Sequence, residues 1–104
     1  MAVWLDPALC DPPHEVDDVL FFVRLTECFA RFGWAAEQPV LLGYCFEGRI
    51  QLVSGSHRWA AARAAGICVP VVLRSYEEVI STWGEPAWLE WLQNPPLAGS
   101  PPAL

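Results

Sequence analysis

An apolar run, Ile50 to Val53, stops at Ser54-Gly55-Ser56, and an Ala-rich stretch from His57 to Ala65 follows without a gap. A strand-length apolar run, a corner of turn-forming residues and an immediate helix former predict a strand–turn–helix unit. Backbone N–H groups at the first turn of such a helix have no intrahelical partner, and the aligned peptide dipoles add partial positive charge there. The corner also carries His57, one of two histidines, and Arg58, one of six cationic residues. A guanidinium presents a planar fork that matches phosphate oxygens, and helix starts of this kind hold anions. The corner is therefore a candidate phosphate site, with a nucleotide as the expected ligand.

Composition narrows what surrounds it. A chain of 104 residues can build one small core. With 54% apolar and 17% charged residues it is neither disordered nor heavily solvated. Six Trp and five Phe are more rings than so small a domain hides easily, so some are expected in a pocket or a partner interface, the rest in the core. The net charge of −6 is uneven: residues 24–74 hold all six Arg against Glu27, Glu37 and Glu47, while both flanking stretches are purely acidic. Duplex DNA binding is disfavoured, because the acidic ends would repel phosphates, whereas a small anion remains compatible. Every base is Arg, so no lysine serves as Schiff-base former or phosphate clamp.

Cys10, Cys28, Cys45 and Cys68 lack the short spacings of a zinc or redox motif, and buried reduced thiols are expected. Neither a signal peptide nor a membrane span is legible, and a cytoplasmic protein is expected.

Along the chain, Ala2–Leu5 reads as a strand, and Asp11-Pro12 as loop punctuation or a helix start. Residues 15–32 read as a helix. Glu15, Asp17 and Asp18 suit its positive end, and two apolar sets at helical spacing imply burial on two sides or an interface. Gly33 ends it. Residues 39–42 and 49–53 read as strands around a turn at Glu47-Gly48, then the corner, a helix over 57–65 stopped by Gly66, and a strand at 69–73 whose Pro70 predicts an edge position. Residues 76–83 read as helical, and a last helix from Glu85 carries Trp88, Leu89, Trp91 and Leu92. The expected organisation is one α+β domain over 1–93, a small mixed sheet with helices around it, and a Pro-rich tail over 94–104.

The segment Val53-Ser54-Gly55-Ser56-His57-Arg58-Trp59-Ala60-Ala61-Ala62 resembles the ParB/sulfiredoxin superfamily. The surrounding order agrees: a helix ending at Gly33-Trp34, Gln38-Pro39 leading into a strand, a hairpin, the corner, then a Val-Pro-Val-Val strand. The resemblance spans about residues 2–80. It implies that Ser54, Gly55, Ser56, His57 and Arg58 contact the phosphates of ATP or CTP, with Mg2+ as an accompanying ion, and that Gln38 approaches the nucleotide from the side.

Departures from the family pattern shape the functional expectation. Sulfiredoxins carry a reactive cysteine directly before His-Arg. Ser56 stands there in this chain, and a hydroxyl without an adjacent base is a poor nucleophile at neutral pH, which argues against sulfinic-acid reduction. The acid and base pairs of ParB loops are missing, and no DNA-binding segment follows, which argues against a ParB clamp. The expectation is a nucleotide-binding protein, with phosphotransferase or nucleotidase activity as the candidate chemistry. His57 is the candidate proton shuttle and Glu37 the nearest candidate catalytic acid. No metal cluster is legible. The alternative is a non-catalytic inhibitor or adaptor, phage- or mobile-element-encoded, that binds a protein partner or a second copy through the 15–32 helix or the Trp-rich C-terminal helix.

Overall fold

The computed structural model describes residues 2–35 and 38–82. Strand β1 (Ala2–Leu5) leads into a single 3-10 turn at Pro7–Leu9, started by the Asp6 carboxylate, which accepts from the Ala8 N–H at 2.9 Å. Then come β2 (Cys10–Asp11), α1 (Val19–Phe32), β3 (Leu41–Phe46), β4 (Arg49–Leu52), α2 (Ser56–Ala65), β5 (Val69–Leu73) and α3 (Tyr76–Thr82). The five strands form one mixed sheet in the order β1-β5-β3-β4-β2. β3 and β4 are an antiparallel hairpin, closed by Glu47 and Gly48 with positive φ at both, the geometry that matches strand twist. β5 runs parallel to β3 and antiparallel to β1, and β2 runs parallel to β4.

The period-2 alternation of side chains splits β3 and β5 between two cores. Leu41, Val69 and Val71 join Leu25, Phe29, Trp34, Leu52, Ala61 and Ala62 in the larger core beneath α1 and α2. Leu42 and Val72 face the opposite way, into a smaller cluster with Ala2, Val40 and Val79 of α3. Burial on both faces explains why 69–73 is an unbroken apolar run. Phe29 and Trp34 stack with ring centroids 4.8 Å apart, so part of the aromatic surplus is core.

Four expectations are corrected. The first long helix begins at Val19 rather than at residue 15, because Asp18 takes the N-cap and accepts from the Phe21 N–H at 3.0 Å. Asp11 belongs to β2 and opens no helix. β5 is interior to the sheet, and it accepts Pro70 because the ladder to β3 begins only one residue later, at Val71. All four cysteines are free as expected, but only Cys10 and Cys68 are buried; Cys45 is exposed and Cys28 half-buried.

Of the two apolar sides of α1, one buries Leu25 and Phe29, while Val19, Leu20 and Val23 on the other are exposed. The strand at 39–42 and the helix at 57–65 are both present, shifted to 41–46 and 56–65. Trp83, Trp88, Trp91, the helix expected from Glu85 and the 94–104 tail lie outside the described residues. Among the described residues no helix is long and apolar enough to cross a membrane.

Candidate functional site

The hairpin delivers the chain to the corner, and Gly55 turns it. Its φ is +83°, and a Cβ there would run into the Leu41 side chain in the core, so no other residue fits without strain. Gly55 is the N-cap of α2, and no side chain caps this helix start. The first helical hydrogen bond runs from the Trp59 N–H to the Gly55 carbonyl at 2.8 Å, which leaves the N–H groups of Ser56, His57 and Arg58 ahead of it.

These residues line a cavity of about 250 Å³, together with Gln38 from the approach to β3. Five of the six residues expected to bind the nucleotide thus share one concavity. Ser54 is the sixth and does not line it; its hydroxyl is buried without a hydrogen-bond partner among the described residues. A larger cavity of about 440 Å³ lies on the α3 side, lined by Tyr44, Val53, Val79 and neighbours, and has no charged side chain to hold an anion.

Arg58 supplies the principal electrostatic feature. Its Nε is buried and has no partner among the described residues. No described carboxylate forms an ion pair with it. The guanidinium folds back over the corner, with two nitrogens 3.3 and 3.4 Å from where a Cβ on Gly55 would stand. Burial weakens its hold on its proton, yet a guanidinium remains a cation at neutral pH. A partly desolvated, unpaired cation is costly to keep, and an arriving anion offsets that cost.

His57 is held differently. Its Nε2 lies 3.0 Å from the Asp18 backbone N–H and 2.9 Å from Asp17 Oδ1. The Phe21 ring packs on the imidazole at 5.5 Å between centroids, and His14 meets it edge-on at 6.0 Å. Ser56 is 2% exposed, and its hydroxyl accepts from the His14 N–H at 3.3 Å. That hydroxyl therefore pins the loop before α1; it neither caps α2 nor stands free as a nucleophile.

His14, Asp17 and Phe21 were not legible as site residues. They reach the corner from some 40 positions away through the packing of α1 on α2, and the one local hint was that His14 is the other histidine of the chain. Glu37 lies outside the described residues. Among the described residues no group of three His, Cys, Asp or Glu side chains is placed to hold a metal ion.

No family model matches the chain, and no curated protein matches it. Solved structures do. Sulfiredoxin from Arabidopsis thaliana superposes with a TM-score of 0.61 at 20% identity, over 78% of this chain and 93% of that one. ParB from Caulobacter crescentus, a C-terminally truncated form complexed with CTP-gamma-S, gives 0.63 at 21% identity, over 93% of this chain and 56% of that one. The fold is ParB/sulfiredoxin-like. A conserved hypothetical protein from Pyrococcus furiosus shares it, with a TM-score of 0.58 at 23% identity over 72% of this chain. The chain spans only 32% of that archaeal protein and 56% of the ParB chain. In this ParB/sulfiredoxin-like fold, the corner at 54–58 joins the central hairpin to the helix that packs on α1.

Proposed function

We propose that this protein binds the phosphate end of a nucleotide, ATP or CTP, at the start of α2. The observation that carries the reading is the half-buried Arg58 guanidinium, without a partner among the described residues, in a cavity that the residues of the uncapped first turn also line. Positive groups from two sources converge where no described side chain neutralises Arg58. The complex of the ParB neighbour with CTP-gamma-S supports the choice of ligand class. A cavity of about 250 Å³ is smaller than the ~300–1,000 Å³ of typical small-molecule sites, so it suits phosphates, with the nucleoside extending beyond it. Gln38 at the rim is the candidate side contact. His57 could shuttle a proton once Asp17 leaves it, and any Mg2+ would arrive on the nucleotide's own oxygens. Phosphotransferase or nucleotidase chemistry is the candidate activity of such a complex.

Calorimetric titration with ATP, CTP and GTP, with and without Mg2+, tests the reading. Binding that is lost in Arg58→Ala and weakened in His57→Ala, while both variants keep the wild-type circular dichroism, is the expected result. No heat with any nucleotide would refute it. The adaptor reading rests on the exposed Val19, Leu20 and Val23 of α1, and sedimentation of the free protein as a concentration-dependent dimer would favour it.

A further inference from the structure

Resting on that reading, we infer that Asp17 is an internal competitor of the ligand: its carboxylate occupies the place of a phosphate oxygen at His57, and residues 12–17 swing away when a multiply charged phosphate binds, while the Asp18 carboxylate keeps its cap on α1. Three polar contacts among the described residues tie this loop to the start of α2. The His14 N–H donates to Ser56 Oγ, and the Asp18 N–H and Asp17 Oδ1 both meet His57 Nε2. All three therefore end on Ser56 and His57, the first two residues of the helix, both of which line the cavity.

The two contacts on Nε2 demand opposite states of one atom. Nε2 accepts from the Asp18 N–H only through its lone pair, and it donates to Asp17 only when it carries a proton. Each contact thus excludes the other, and the loop is held by one of two alternative tethers. The groups facing the imidazole are Asp17 and Asp18 from the loop, His14 edge-on, Phe21 of α1, and Arg58 beside it on α2. A bound polyanion favours protonated His57, breaks the Asp18 tether, and contests the Asp17 contact directly.

Burial decides which side yields. The Asp17 side chain is 80% exposed and that of His57 only 17% exposed, so the carboxylate returns to water with little loss while the imidazole stays in place. A monoanion such as acetate merely exchanges one carboxylate for another. A di- or triphosphate reaches His57, Arg58 and the first-turn amides together, so Asp17 makes the site selective for multiple charge.

The test is titration of the wild type, Asp17→Asn and Glu15→Gln with inorganic pyrophosphate at neutral pH. Glu15 is an exposed acid of the same loop whose carboxylate does not touch His57, so it reports the general effect of removing a charge. The expected result is pyrophosphate binding about two- to five-fold tighter in Asp17→Asn than in the wild type, with a clearly smaller gain in Glu15→Gln. Equal or weaker binding by Asp17→Asn, or an equal gain in Glu15→Gln, overturns the competition while leaving the anion site intact. Silence of the wild type and both variants refutes the anion site itself, and the competitor with it.

Discussion

Two helices begin side by side in this fold, and they begin in opposite ways. α1 is closed by its own sequence: Asp18 stands at the N-cap and its carboxylate accepts from the Phe21 N–H. α2 starts at a glycine that offers no side chain, and no side chain among the described residues supplies a cap. The contrast is sharper because the two starts touch, through the Asp18 N–H and His57 Nε2. A helix start that serves only architecture is satisfied internally; one left open beside a guanidinium without a described partner is where the proposed anion would sit.

The most damaging way to break the comparison is to give α2 a side chain at its start. Gly55→Ala forces a non-glycine residue into the left-handed region and drives its Cβ into Leu41. A loss of about 2–4 kcal/mol is expected in urea unfolding, combining backbone strain with overpacking. Arg58→Ala comes next, and the comparison predicts that affinity and stability part company. Nucleotide binding should weaken by at least about tenfold, the worth of a charge-assisted hydrogen bond, while the unfolding midpoint holds or rises because an unpaired, half-buried charge has gone.

Asp18→Ala is the mirror image. Removing the α1 cap should cost about 1 kcal/mol and lower Tm by roughly 4–8 °C, yet change pyrophosphate affinity by less than about twofold. The last prediction is a control remote from both helix starts, with no effect on the comparison at neutral pH. Burial pushes the Cys10 thiol up from 9.0 to about 11. Between those values the unfolded chain has released this proton and the native chain has not, so stability declines as pH rises from 9 toward 11. Cys10→Ala should flatten that decline in pH-resolved chemical denaturation.

The sequence disclosed the elements whose causes are local. The corner at 54–58, the Glu47-Gly48 turn and the helix stop at Gly66 all follow from residue types at fixed offsets, and each stands within a residue or so of its expected place. What failed depended on tertiary neighbours. Pro70 pointed to an edge because a missing N–H is usually tolerated only there, yet the position where the β3 ladder begins decides the matter. The start of α1 slipped by four residues because acids at Glu15, Asp17 and Asp18 look equivalent along the chain, and only the fold assigns Asp18 to the cap and Asp17 to His57. At the site, the residues of the corner itself were legible, whereas His14, Asp17 and Phe21 arrive through the packing of α1 on α2. Ser54 does not line the cavity, because adjacency in sequence does not decide which way a side chain turns at a corner.

Amide chemical-shift mapping during titration with pyrophosphate tests the difference between the two helix starts most directly. The largest shifts should fall on the N–H groups of Ser56, His57 and Arg58, with Asp18 moving as its bond to His57 is released and the α1 amides of Leu20 and Phe21 staying near their starting positions. Shifts confined to other surfaces, or equal shifts at both helix starts, would contradict it.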